Sequence, residues 1–115
     1  MAMKNITRKS KLAECAVMCT SPLQKARGLI FRRRIKDEAY LFIFEKEAYV
    51  PLHMLFVFFP IDVLYLDGRK KVVEMKECFA PFAFYQPQKK ARYVIELPAG
   101  TVKISRTRIG DAISF

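Results

Sequence analysis

With 115 residues, 52% of them hydrophobic and 13% aromatic, the chain has the length of one domain and enough apolar material for a core, which excludes a disordered protein. A net charge of +10, from 21 Lys and Arg against 11 Asp and Glu, gives a surface that attracts polyanions: nucleic acid, acidic lipid or an acidic partner. Three cysteines fit no closed disulfide framework and suit a reducing compartment, so a cytoplasmic location is expected.

The opening "MAMKNITRKSK" is basic, and no apolar stretch of the secretory kind follows it. Residues 1–11 are expected to be a flexible basic leader and 12–115 a single β-rich domain. Leu12–Thr20 reads as the first strand. In "SPLQKARG", Ser21 suits an N-cap, Pro22 the first helical position and Gly28 a left-handed stop, which predicts a helix over Pro22–Arg27. "RRRIKDE" is a charged loop, and Ala39–Phe44 a short strand. The apolar run from Val50 to Asp67 carries Pro51, His53, Pro60 and Asp62 and is too short for a span of about 20 residues, so no membrane span is expected.

Pro60 cannot donate to a ladder and divides that run into strands Leu52–Phe58 and Ile61–Leu66. Both faces of the first are apolar, so the two are expected to be the central strand pair, covered on both sides. Asp67-Gly68 marks a hairpin turn. Beyond it "KVVEMKE" alternates, with Val72, Glu74 and Lys76 on one face and Val73, Met75 and Glu77 on the other. An aromatic loop leads to a strand over Arg92–Leu97, ended by Pro98 and Gly100. "TVKIS" suits a helical turn and "RIGDAISF" a turn with a terminal strand. The fold class expected is mainly β, an antiparallel barrel- or sandwich-like domain with one or two short helices and no βαβ unit.

At "RGLIFR", "HMLFVFFPIDVLYLD", "ARYVIELPAG" and "RIGDAISF" the sequence resembles the domain-of-unknown-function family 192. The resemblance runs in order from about Leu12 to the end. Arg27, Gly28, Leu29, Met54, Pro60, Asp62, Glu96, Pro98, Gly100, Gly110 and Asp111 keep the family's pattern. His53 stands where bacterial members carry Trp, and Leu55, Phe56 and Val57 stand for their Lys-Asn-Thr. This variant is similar to the archaeal branch. The resemblance implies a mainly β, barrel- or sandwich-like fold and no particular reaction.

Candidate chemistry is sparse. His53 and Asp62 with Cys78 as nucleophile match no catalytic spacing. Cys15 and Cys19, with Cys78 and His53, lack the two close ligand pairs of a zinc site, so neither metal nor cofactor is expected. Asp62 between Ile61 and Val63 needs a partner, for which Arg27 is the candidate, and Arg27, His53 and Asp62 are the predicted ligand-binding residues. The function expected is a non-enzymatic binding or accessory module for a small-molecule or protein partner. The alternative is association with single-stranded nucleic acid through Arg32, Arg33, Arg34, Lys89, Lys90 and Arg92, with Phe84 and Tyr85 as stacking rings. Because the basic runs mark turns, including Arg69-Lys70-Lys71 and Arg106-x-Arg108, they are expected to be spread evenly over the surface.

Overall fold

Backbone pairing sorts the chain into three sheets. The computed structural model describes residues 2–19, 37–54 and 58–115. In chain order the strands are β1 (Met3–Asn5), β2 (Ser10–Ala13), β3 (Cys15–Cys19), β4 (Glu38–Ala48), β5 (Leu52–His53), β6 (Ile61–Leu66), β7 (Val72–Phe79), β8 (Phe84–Tyr85) and β9 (Ala91–Pro98). A short helix α1 (Thr101–Ser105) and the strand β10 (Ile113–Ser114) complete it. A five-stranded sheet runs β3-β4-β9-β6-β7, a three-stranded one β10-β1-β2, and a two-stranded ribbon β5-β8.

The mainly β character and the helical turn over Thr101–Ser105 agree with the sequence, but the architecture differs from an antiparallel barrel or sandwich. No sheet closes on itself among the described residues, and the large sheet is mixed because β3 and β4 pair in parallel from Cys15↔Glu38 to Cys19↔Phe42. A parallel pair needs a long crossover, and the interval between Cys19 and Glu38 has the length for one. The helix expected over Pro22–Arg27 lies in that interval, outside the described residues, as do Arg32, Arg33, Arg34 and Leu55–Val57.

Further corrections follow from where hydrogen bonds go. Met3–Asn5, expected in a flexible leader, is a strand between β2 and β10, and Met3 is fully buried. The single strand expected over Leu12–Thr20 breaks at Glu14. There the amides of Glu14 and Cys15 both donate to the Asp37 carbonyl, at 3.2 and 3.3 Å, and the chain passes from the small sheet to the large one. Of the expected central pair only β6 belongs to the large sheet, and the middle strand is β9. β5 pairs instead with β8, at Leu52↔Tyr85 and His53↔Phe84. The alternation of β7 slips by one residue, because Leu66↔Val72 and Tyr65↔Glu74 leave Val73 as the extra residue of a bulge.

β6 shows why the sheet holds. All six of its residues are buried. Ile61, Val63 and Tyr65 pack with Tyr40, Phe42, Phe79 and Val94 under the β5–β8 ribbon. Leu64 and Leu66 face Met3, Leu12, Ile95, Leu97, Val102 and Ile113 on the opposite side. The small sheet and α1 thus cover one face of the large sheet and the ribbon the other. Met3→Ala is therefore expected to cost about 2–5 kcal/mol in urea unfolding, the range for emptying a core methionine site, where a frayed leader would register no change.

Candidate functional site

Asp62 is buried between the large sheet and α1, and among the described residues its carboxylate is met by main-chain donors. Oδ1 accepts from the Cys78 amide at 2.9 Å, and Oδ2 from the amides of Gly100 at 3.1 Å and Val102 at 2.9 Å. The last two are orphan donors at the start of α1, whose own N-cap residue, Gly100, has no side chain to serve them. Gly100 sits at φ +93°, a conformation that favours glycine, so Asp62 caps the helix from a strand distant in sequence. Arg27, the partner expected for Asp62, lies outside the described residues.

A second carboxylate organises the end of the fold where β1, β2 and α1 meet. Asp111 Oδ2 accepts from Arg8 Nε at 2.9 Å, Asn5 Nδ2 at 3.0 Å and the Arg108 amide at 2.9 Å. Burial pushes this carboxyl up, but the hydrogen bonds from Arg8, Asn5 and Arg108, with the Arg8 charge, outweigh it and hold the group below its ordinary value. Asn5 Nδ2 also reaches Thr107 Oγ1 at 2.9 Å, which lies 2.7 Å from Ser105 Oγ. Above this network opens a cleft of about 660 Å³ lined by Thr7, Arg8, Glu77, Val102, Lys103, Arg106, Thr107 and Arg108. Arg8 is anchored by Asp111, whereas Lys103, Arg106 and Arg108 are exposed and have no carboxylate within salt-bridge distance among the described residues. Beyond the β1–β2 turn lies a second groove, of about 470 Å³, lined by Lys4, Asn5, Ile6, Lys9, Ser10 and Lys11.

On the opposite face of the large sheet, Glu96 occupies the middle strand between Tyr40 on β4 and Val63 on β6. It is 9% exposed, and its Oε1 has no hydrogen-bond partner among the described residues. Burial raises its pKa to about 7. Glu74 on the same side is satisfied, accepting from the Tyr85 hydroxyl and from the amides of Gln88 and Lys89, both at 2.9 Å. Burial and that carboxylate push Tyr85 up to about 12. Burial, with Tyr85, Glu74 and Glu96 nearby, raises Tyr65 further still, and its hydroxyl donates to the Val50 carbonyl at 3.2 Å.

Among the predicted ligand-binding residues, Asp62 alone has a described side chain. Asp62 is committed to α1. His53 ends β5 opposite Phe84, and its side chain lies outside the described residues. Cys78 meets Asp62 through its amide, not its thiol. Among the described residues no group of His, Cys, Asp or Glu could hold a metal ion, and no helix is long and apolar enough to cross a membrane. Of the aromatic and basic residues in the nucleic-acid alternative, Tyr85 is turned inward onto Tyr65 and Phe79. Arg92 Nε donates to the Phe44 carbonyl, and Lys90 lies over the Tyr49 ring at 5.7 Å. Phe84 is 73% exposed, on the ribbon side of the sheet, opposite the cleft. Of the basic runs, Arg106 and Arg108 join Arg8 and Lys103 around one cleft. The signal for Arg8 was its place three residues after Asn5 in a polar amino-terminal stretch, which only the pairing of β1 with β10 makes structural.

These features define a small mainly β domain with a mixed central sheet, a tertiary-capped helix and a basic cleft. The chain belongs to the DUF192 family, described as "Uncharacterized ACR", whose pattern matches residues 4–115. It is 34% identical to a UPF0127 protein of Thermococcus sibiricus over 94 residues, 80% of this chain and 60% of that one. A UPF0127 protein of Pyrococcus furiosus is 26% identical over 113 residues, 98% of this chain and 97% of the relative. The chain thus spans about 60% of the length of the Thermococcus relatives. Among solved structures, a Sinorhizobium meliloti protein described provisionally as a transcription regulator superposes with a TM-score of 0.87 at 26% identity, covering 98% of this chain and 89% of that one. A Novosphingobium aromaticivorans protein of unknown function superposes at 0.86 with 14% identity, covering 99% and 82%, and shows the fold alone.

Two outcomes test this geometry. Asp62→Asn would turn an amide group toward main-chain donors and is expected to destabilise by more than about 2 kcal/mol in chemical unfolding; Asp62→Ala would strand all three amides and cost at least as much. Glu96 sets a pH dependence of definite sign. Its folded pKa, about 7, stands above the usual carboxylate value, so no penalty exists while both states are protonated. The penalty grows as pH rises and the unfolded chain ionises first, and it is complete above the folded pKa. Stability should therefore fall between about pH 5 and about pH 8, by a few kcal/mol at most, and Glu96→Gln should flatten that slope.

Proposed function

We propose that the chain is a non-enzymatic binding module whose ligand is a phosphate-class anion held in the cleft between the β1–β2 turn and α1. The single observation that carries this reading is the cleft's cationic wall. Arg8 is fixed by Asp111, while Lys103, Arg106 and Arg108 stand beside it without carboxylate partners among the described residues. Guanidinium forks suit phosphate oxygens, and a fork already oriented by a buried partner loses less side-chain freedom on binding. Thr7 and Thr107 add hydroxyls to the lining, and Glu77 is its one acid. The cleft is open and polar, unlike the concave apolar pocket expected for an uncharged small molecule.

The reading without catalysis is supported by Asp62, whose two oxygens accept from three main-chain amides, and by a cleft lining whose hydroxyls, on Thr7 and Thr107, have no histidine or cysteine among the other lining residues. The provisional description of the Sinorhizobium protein favours nucleic acid as the anion. Against a single-strand groove, the exposed Phe84 and the cationic cleft stand on opposite faces of the sheet. Stacking and phosphate contact would have to act together there.

Thermal unfolding with pyrophosphate tests the reading, because a ligand that binds only the folded state raises the melting temperature. Pyrophosphate is expected to stabilise the wild-type chain, more at low than at high salt. Arg106→Ala/Arg108→Ala should abolish the shift while leaving the ligand-free melting temperature within about 2 °C, since both side chains are exposed. Equal stabilisation of that variant would exclude the cleft.

A further inference from the structure

We infer that the cleft end of the molecule docks on an anionic lipid surface, the phosphate-class anion being a lipid headgroup; this rests on the cleft reading above. The observation is what stands beside the cations. Ile6, Ile104 and Ile109 are 57%, 84% and 65% exposed. Each adjoins a cleft-lining residue in the chain: Ile6 precedes Thr7, Ile104 follows Lys103 and Ile109 follows Arg108. A single exposed isoleucine is ordinary. Here Ile104 and Ile109 follow Lys103 and Arg108 of the cleft, and Ile6 lines the adjoining groove with Lys4 and Lys9, so exposed aliphatic side chains stand among the cations at this end of the molecule.

This arrangement is built into the backbone. Ile6 N donates to the Ala112 carbonyl at 3.0 Å and Thr7 Oγ1 accepts from the Ala112 amide at 2.8 Å, which holds the β1–β2 turn against the segment after Ile109. Thr107 N donates to the Val102 carbonyl at 3.1 Å, which fixes the end of α1 beside the same segment. Ile6 and Ile109 are thus carried on constrained turns and Ile104 on α1.

Charge complementarity and side-chain type select the occupant. Aliphatic tips entering the headgroup boundary, flanked by Lys and Arg that meet lipid phosphates, are the means by which peripheral proteins hold an anionic bilayer. A single-stranded nucleic acid wants rings among the cations, and no aromatic side chain lines the cleft among the described residues. Lys4 and Lys9, in the groove on the far side of the β1–β2 turn, extend the positive surface beyond the cleft.

Vesicle flotation of the whole chain tests this, with phosphatidylcholine alone and with phosphatidylcholine mixed with phosphatidylglycerol. Binding is expected only to the mixed vesicles. Two cations near a charged membrane contribute roughly fivefold each, so Arg106→Ala/Arg108→Ala should weaken it by roughly 30-fold. Ile104→Ser/Ile109→Ser should weaken it by roughly 10-fold with an unchanged melting temperature, because neither residue belongs to the core. Full vesicle affinity in the isoleucine variant, or displacement from vesicles by a short single-stranded RNA that binds more tightly, would overturn the proposal. Failure to float while pyrophosphate still stabilises the chain would remove the membrane and leave the cleft reading intact. Failure of both would remove both.

Discussion

The Asp62 carboxylate is the joint on which this structure turns. A charged group placed in a buried strand is costly unless its oxygens are satisfied, and here three main-chain amides from two other segments do so. One of them, from Cys78, lies at the second irregularity in the pairing of β6 with β7, where Cys78 takes φ +49°. The other two belong to the start of α1. Because Gly100 can adopt the left-handed turn but cannot cap, the helix needs an acceptor from elsewhere, and the buried carboxylate needs donors. Each requirement answers the other, and together they fix α1 over the sheet.

Once α1 is fixed, the basic cleft follows. The helix presents Lys103 at its last turn, where a cation also suits the helix dipole, and Arg106 at its left-handed C-cap. Asp111 then ties the following turn to β1 and β2 through Arg8 and Asn5. Residues 110–113 also bond back to the start of β7, through Val72 N to Asp111 O at 2.9 Å and Ile113 N to Lys70 O at 2.9 Å. The small sheet is therefore hydrogen-bonded to the large one as well as packed on it. Of the acids at this end, Asp62 and Asp111 are both consumed internally, and Glu77 alone lines the cleft beside its cations.

The two faces of the large sheet have different chemistry. The face under α1 and the small sheet buries apolar side chains around Asp62. The face under the β5–β8 ribbon carries Glu96, Glu74 and several tyrosines among its apolar residues. Glu74 accepts from a hydroxyl and two amides, whereas Glu96 Oε1 has no partner among the described residues and burial raises the Glu96 pKa to about 7. The middle strand of the fold thus contains a group that titrates near physiological pH.

Local pattern determined a good deal by itself. Ile61–Leu66, the Asp67-Gly68 turn, Arg92–Leu97 within β9 and the turn of helix at Thr101 were all legible, because period-two alternation, turn chemistry and a Pro–Gly stop act over a few residues. That Asp62 must have a buried partner was also legible from its two apolar neighbours. Which partner was not, since backbone amides are not written in the sequence, and an arginine was the only visible candidate. Tertiary structure alone decided the parallel pairing of β3 with β4, since it depends on contacts between strands separated by a long interval. It also turned a polar amino-terminal stretch into β1, because Met3 is buried only when β2 and β10 flank it. The same pairing brings Arg8 to Arg106 and Arg108 from the other end of the chain. Charge is written residue by residue, but a charged site is a matter of which turns meet, and only long-range packing settles that.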